Sequence, residues 1–240
     1  MPLEVNKLES DRFGIVAARV IENTASPGSI DNAAARFGVQ MAMVRIPVAD
    51  MPRVHAFEDA GYRLMDTLVY YCRSVSTHQA LRPLPEGVTC READVADAPD
   101  VAALALVGFS EYVGHYHTDP RLDSSAADAA YAEWAETSTA RADATSPVLL
   151  VQIEGRTVGF LTLRANSDEE IELVLSAVDP ASRLPGVYAI LIARGVSWAA
   201  AHGYTRVVTS TQVNNYSVQS VWTRLGFRLD RCLHTFHKWF

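Results

Sequence analysis

Asn215-Tyr216-Ser217-Val218-Gln219-Ser220-Val221-Trp222-Thr223-Arg224-Leu225-Gly226-Phe227 is the stretch whose reading decides the fold. Val218, Val221, Trp222 and Leu225 recur at i, i+3, i+4 and i+7, the spacing of one face of an α-helix. Asn215 suits the N-cap, because its side-chain oxygen accepts a free backbone N–H of the first turn. Gly226 suits the residue after the helix, where a positive φ is needed and a Cβ would clash. Working outward, residues 171–178 (Ile-Glu-Leu-Val-Leu-Ser-Ala-Val) read as a strand closed by Asp179-Pro180. A loop, residues 181–186, leads into a helix over 187–202, with Val187, Ile190, Leu191 and Trp198 as its apolar stripe and Gly203 as its stop. A second strand covers 205–212. Strand, tight loop, helix and strand make a βαβ unit, whose crossover is right-handed and leaves the two strands parallel. The capped helix and a last strand over 233–240 complete the series.

This order resembles the GNAT acyltransferase superfamily over residues 147–240. The family's Gln/Arg-x-x-Gly-x-Gly/Ala loop after its fourth strand reads here as Arg183-x-x-Gly186-x-Tyr188. Its Asn-x-x-Ala-x-x-x-Tyr-x-x-x-Gly-Phe helix reads as Asn215-x-x-Val218-x-x-x-Trp222-x-x-x-Gly226-Phe227. The resemblance implies an α/β fold with a mixed sheet, and acetyl-CoA lying between two parallel strands that splay apart. Backbone N–H groups at a helix N-terminus, reinforced by the helix dipole, suit the cofactor's pyrophosphate. That casts Arg183, Gly186, Val187 and Tyr188 as its cradle. Leu175, Ser176, Ala177 and Val178 become the rail along which the pantetheine amides pair as an added strand would. Asn215 caps its helix and is a further cofactor candidate. Two departures stand out: Tyr188 occupies a position usually held by a small residue, and Pro185 removes one donor.

Acetyl transfer to an amine needs an unprotonated nucleophile and a stabilised oxyanion, and it is helped by an acid for the departing thiolate. Many family members use the Tyr of the second motif as that acid. Here Trp222 stands in its place, with an N–H but no acidic hydroxyl, and Tyr216 and Tyr188 are the nearby phenols. Glu172 is the candidate base, expected to share a strand face with Val174, Ser176 and Val178 by simple alternation. An ion-paired strand carboxylate is the competing reading of the same residue. The segment Tyr112-Val113-Gly114-His115-Tyr116-His117-Thr118-Asp119-Pro120-Arg121 is the acceptor-side candidate, with His115, His117 and Arg121 as substrate-binding residues. No further ligands accompany the two histidines at zinc-like spacing, so no metal is expected. His234, His237 and Trp239 lie on the last strand, where packing or the subunit contact of a homodimer is the expectation.

The 240 residues are 49% hydrophobic and carry a formal net charge of −7, which disfavours general nucleic-acid binding. No apolar run reaches the ~20 residues of a membrane span. The first residues lack the basic and apolar regions of a signal peptide, so a cytoplasmic setting is expected. Cys72, Cys90 and Cys232 suggest neither a disulfide framework nor a zinc site. Phe57-Glu58-Asp59-Ala60-Gly61-Tyr62-Arg63-Leu64 echoes Trp222-Thr223-Arg224-Leu225-Gly226-Phe227-Arg228-Leu229. A strand before it and a strand after it lead us to expect a truncated GNAT-like half over residues 1–75. A linker over 76–87 and a catalytic GNAT domain over 88–240 follow. This layout, with Leu8-Glu9-Ser10-Asp11-Arg12-Phe13-Gly14 and Tyr131-x-x-Trp134, is similar to the nucleotide-sugar N-acetyltransferases of the dTDP-fucosamine type. It implies acetyl transfer to the amine of a nucleotide-linked deoxy-amino-sugar. Another small amine, such as an antibiotic, and an inactive GNAT-like binding module are the alternatives.

Overall fold

The computed structural model describes residues 1–76, 83–182 and 184–240; residues 77–82 of the expected linker and Arg183 lie outside the described residues. In chain order the elements are β1 (Leu3–Val5), α1 (Lys7–Phe13), β2 (Ala17–Val20), α2 (Pro27–Phe37), β3 (Met41–Pro47) and α3 (Met51–Asp59). They continue with β4 (Arg63–Ser74), β5 (Val88–Glu92), α4 (Ala98–Gly108), α5 (His115–Thr118), α6 (Ser124–Ala140), β6 (Val148–Ile153) and β7 (Arg156–Ala165). The last are β8 (Glu170–Val178), α7 (Val187–Ala201), β9 (Arg206–Gln212), α8 (Tyr216–Arg224) and β10 (Arg228–Trp239). The fold is mixed α/β, with parallel and antiparallel strand pairs.

Two compact units emerge. The first comprises Met1–Val69, Val113–Ala127 and Arg231–Phe240. In it β1 pairs antiparallel with β2, β2 runs parallel to β3, and β3 pairs antiparallel with β10 from Leu233↔Pro47 to Trp239↔Met41. Ser26 caps α2 by accepting the Ser29 N–H, and Ile30 and Ala34 on the same helix pack with Val44, Ile46, Val54, Phe57 and Phe236. β3, α3 and β4 stand where the strand, helix and strand around Phe57–Leu64 were expected, whereas β1, α1, β2 and α2 were not foreseen.

The second unit comprises Tyr70–Tyr112 and Asp128–Asp230. Here β5, β6, β7 and β8 form an antiparallel series, and β9 lies parallel to β8, as the βαβ reading requires. The buried stripe of α7 is Val187, Leu191, Ile192, Gly195, Val196 and Ala199. Of the expected stripe, Ile190 and Trp198 are only partly buried. Trp198 instead stacks on His202 and donates its indole N–H to Glu92, 2.7 Å away. No helix of the described residues is long and apolar enough to cross a membrane.

The echo noted between the two halves extends to hydrogen bonds. At the end of α3, Gly61 has φ +83° and the Tyr62 N–H reaches back to the Phe57 carbonyl at 3.0 Å. At the end of α8, Gly226 has φ +85° and the Phe227 N–H reaches back to the Trp222 carbonyl at 3.0 Å. Both are glycine-closed helix ends in which the aromatic pair spans the last turn.

Candidate active site

The site begins with an irregularity in β8. Its register against β7 passes from Leu163↔Leu173 to Thr162↔Leu175, so Val174 is an extra residue on one strand. The Thr162 hydroxyl fills the gap, accepting the Leu175 N–H at 3.0 Å. An extra residue reverses which side of the sheet each later side chain faces. Accordingly Ile171 and Leu173 pack with Leu191 and Ile192 of α7, whereas Leu175 and Ala177 pack with Leu104 and Ala105 of α4 and Tyr131 of α6. Ser176 and Val178 turn toward α7. Glu172 therefore does not share a face with Ser176 and Val178, as alternation predicted; the bulge at Val174 separates them. It is ion-paired to Arg164 at 2.6 Å.

Beyond the bulge, β8 and β9 part company. Their parallel register runs from Glu170↔Arg206 to Leu173↔Thr209, where the Thr209 hydroxyl donates to the Leu173 carbonyl at 3.0 Å. Past that point β8 continues to Val178 on its β7 side only, while β9 continues to Gln212. The edge of β8 that faced β9, from Val174 to Val178, thus offers N–H and C=O groups for which an extended ligand can substitute as a strand. Leu175, Ser176, Ala177 and Val178 all lie on this stretch.

The loop after β8 is tied down by Asp179, whose carboxylate accepts the Ala181 N–H at 2.8 Å and pairs with Arg156 at 3.0 Å. Gly186 begins α7 in the left-handed region, φ +83°, with no side-chain cap. The first-turn N–H groups of Val187, Tyr188 and Ala189 have no intrahelical acceptor and carry the positive end of the helix dipole. The chain thus presents a helix start with free first-turn N–H groups directly after the strand whose edge is open.

Tyr188 directs its phenol inward. Trp222 Nε1 donates to the Tyr188 hydroxyl at 3.1 Å, and Ser176 Oγ lies 3.4 Å from the same oxygen. Burial pushes the Tyr188 phenol up to about 12, against the opposing influence of these two hydrogen bonds. Trp222 is 2% exposed, packed against Tyr71 and Phe227. Tyr216, at the first position of α8, is 73% exposed. Asn215 uses both ends of its amide locally, accepting the Val218 N–H at 3.5 Å and donating to Thr211 at 3.1 Å. From β4, Arg73 caps the other end of α8 by donating to the Leu225 carbonyl at 2.6 Å.

The expected acceptor-side residues lie in the first unit. His115 is buried and its Nδ1 is 3.0 Å from Nε2 of His237. His117 Nδ1 accepts the Gly114 N–H at 3.2 Å, closing α5. The Arg121 guanidinium sits over the Trp239 ring, 5.4 Å from its centroid, and the Arg121 backbone N–H donates to Asp119 at 3.1 Å. Asp119 also accepts from His237 Nδ1 at 2.8 Å and Trp239 Nε1 at 2.9 Å. Packing or a subunit contact was the expectation for His237 and Trp239; His237 is buried and Trp239 packs against Ala17, Met41 and Leu122, and both are also hydrogen-bonded to a buried carboxylate. The sequence signal was present, since Asp119 sits between two flagged residues, but its partners are more than a hundred residues away. No cluster of three or more His, Cys, Asp or Glu able to hold a metal occurs among the described residues.

Residues 109–227 match the model of the Acetyltransferase (GNAT) family. The break between β8 and β9 and the Gly186-capped helix fall inside that segment, and the chain has the mixed α/β fold of the GNAT acetyltransferases. The spore coat polysaccharide biosynthesis protein SpsD of Bacillus subtilis (strain 168) is 23% identical over 198 residues, 82% of this chain. The chain spans 65% of the length of that relative. Among solved structures, a GCN5-related N-acetyltransferase from Kribbella flavida superposes with a TM-score of 0.64 at 14% identity, covering 93% of this chain and 81% of the other. A tandem GNAT protein from the clavulanic acid biosynthesis pathway gives 0.65 at 14% identity, covering 93% and 75%. The enzyme of that class from Sphaerobacter thermophilus gives 0.65 at 12%, covering 99% and 75%.

Proposed function

We propose that this chain moves the acetyl group of acetyl-CoA to the primary amine of a small molecule, and that the acceptor is a nucleotide-linked deoxy-amino-sugar. The observation that carries the first part is the end of the β8–β9 register at Leu173↔Thr209. The pantetheine amides pair with the free edge of Leu175–Val178, and the pyrophosphate takes the N–H groups of Val187 and Tyr188 beside Gly186. Arg183 adds a cation to that cradle by resemblance alone. With Trp222 carrying no hydroxyl, the leaving thiolate departs with the help of Tyr188 or Tyr216, or without a protein acid.

Support for the sugar acceptor comes from the name of the polysaccharide-biosynthesis relative and from the sequence likeness to nucleotide-sugar acetyltransferases. A diphosphate remote from the amine gives binding energy that orients the reacting group. His115, His117 and Arg121 remain the proposed acceptor-side residues, and residues 1–75 a truncated GNAT-like half ahead of a catalytic domain over 88–240. The test is thiol release from acetyl-CoA with free amino-sugars, their dTDP-linked forms and aminoglycosides. Steep preference for the dTDP-linked amine is expected. Equal turnover of free and linked sugar would remove the nucleotide from the acceptor.

A further inference from the structure

Past Leu173↔Thr209 both strands go on, β8 to Val178 and β9 to Gln212, but they no longer pair with each other. The bulge at Val174 does not explain the parting, because β8 resumes its register with β7 from Thr162↔Leu175 to Gly159↔Val178. The Leu175 N–H is turned to Thr162 on β7. By the alternation of a regular strand, the Ser176 N–H points the other way, to the side of β9. An open edge of this kind leaves backbone groups without the partners a neighbouring strand would give, so pairing with β9 is the default that something must oppose.

Two side chains stand in the way, one on each face of the sheet. On the face covered by α4 and α6, the Tyr112 ring packs against the cluster that contains Leu175 and Ala177 of β8. It is held edge-on to Phe109 and Tyr131, with centroids 5.5 and 5.2 Å away. Its hydroxyl donates to the side-chain carbonyl of Gln212, the last residue of β9. One rigid ring thus spans from the packing layer of β8 to the tip of β9. On the α7 face, the Tyr188 phenol stands 3.4 Å from the Ser176 hydroxyl and accepts the indole N–H of Trp222, on the helix that follows β9, at 3.1 Å. The tip of β9 is also tied to that helix: Gln219 Nε2 donates to the Val213 carbonyl at 2.9 Å and the Asn215 carbonyl at 3.2 Å. The Tyr71 hydroxyl fixes the other end of the Gln219 amide at 3.3 Å. Every one of these residues belongs to the second unit.

We infer that Tyr112 and Tyr188 are positioning residues for the cofactor: they brace β8 and β9 apart, so that the Ser176 N–H is kept for the pantetheine arm and not taken by β9. The identity of the ligand rests on the acetyl-transfer reading above; the braces themselves do not. A gap that closes in a fraction of the molecules weakens the apparent affinity in proportion to the fraction left open. Each brace therefore acts on binding through the open population, without touching the ligand. Removing one shifts the balance by what a single hydrogen bond supplies, and removing both lets the tip of β9 fall onto Ser176.

The test compares the unaltered full chain with Tyr112→Phe, which keeps the ring and loses the bond, and with the double variant Tyr112→Phe/Tyr188→Phe. Calorimetry with acetyl-CoA gives the affinity, and NMR-detected amide hydrogen exchange without ligand gives the state of the gap. Tyr112→Phe should raise Kd roughly 2–12-fold, the range for one hydrogen bond, and the double variant should raise it further. Exchange of the Ser176 N–H should slow in both, because β9 closes on it. A variant that is merely loosened exchanges faster at that amide, so the sign separates a brace from a general structural role. Tyr112→Phe alone carries the comparison if the double variant fails to fold. Exchange at Ser176 that is unchanged or faster would overturn the inference whatever the affinity does. Slower exchange with undiminished affinity would overturn it too, since the gap would then not be where the cofactor binds. If the unaltered protein binds no acetyl-CoA, the acetyl-transfer reading falls and takes the cofactor role with it, while the exchange result still decides whether the strands are braced.

Discussion

Gly186→Val separates the energetics of the cofactor loop from those of the fold. Gly186 sits at φ +83° with nothing within 4 Å of where a Cβ would be, so the cost of a side chain is conformational and not a clash. A β-branched residue held in that region costs about 1–3 kcal/mol, which for a chain of this length is a fall in Tm of roughly 3–10 °C. If the loop instead relaxes to negative φ, the strain is relieved but the N–H groups of Val187 and Tyr188 are re-aimed. Losing one charge-assisted hydrogen bond to a pyrophosphate costs about 1.5–3 kcal/mol, or roughly 10–150-fold in Kd. Gly155, in the β6–β7 turn, offers a matched control, with φ +81° and equally empty surroundings. Gly155→Val should lose comparable Tm and no affinity. Titration calorimetry with acetyl-CoA, alongside thermal melts of both variants, makes the comparison. Undiminished affinity in Gly186→Val, at a stability loss equal to that of Gly155→Val, would remove the loop from the cofactor site.

Three further outcomes are expected. Asp119, held down at about 2, contributes stability that is complete above the ordinary carboxyl range and disappears as pH falls through 2; acid unfolding monitored by circular dichroism should therefore lose its steep limb between pH 4 and 2 in Asp119→Asn. In Gly108→Ala the new methyl would lie 2.6 Å from the Ala177 Cβ, so α4 must shift off β8 and thermal melts should report a loss of about 1–3 kcal/mol. Trp222→Phe removes the donor to Tyr188 and should cost about 1–2 kcal/mol in stability while kcat is largely kept; Tyr216→Phe should leave stability unchanged and lower kcat on the order of 10²-fold only if Tyr216 is the acid, so steady-state kinetics of the pair decides that role.

The second unit was legible because its signals are local. Asn215, the Val218–Leu225 stripe and Gly226 are a cap, a periodicity and a stop within thirteen residues, and α8 formed where they pointed. The parallel pairing of β8 and β9 followed from a chirality rule that needs only element order. What could not be read is what depends on pairing. The extra residue at Val174 is defined by the β7 register, and without it Glu172 was assigned to the wrong face. The same holds for Asp119, His237 and His115, which meet because the segment around α5 packs on β10 within the first unit, more than a hundred residues away in sequence. A histidine on an alternating strand looks like any half-buried residue until its opposite number is known.

Trp222 and Tyr188 looked like two separate departures from the family pattern, one removing an acid and the other crowding a loop. The structure joins them, since the indole N–H of one is bonded to the phenol oxygen of the other at 3.1 Å. That bond has a consequence for the hydroxyl hydrogen. With the indole occupying one lone pair on the phenol oxygen, the Tyr188 O–H is directed elsewhere, and Ser176 on the unpaired stretch of β8 is the described neighbour at 3.4 Å. A phenol is thereby restored beside the strand edge proposed for the pantetheine arm, although it comes from α7 and not from α8. The large residue at position 188 is then no obstacle to the proposed pyrophosphate cradle, which would use its backbone N–H while the ring is turned inward and held by Trp222. The two residues are therefore read together: a small residue at 188 would leave the buried indole N–H of Trp222 without its acceptor.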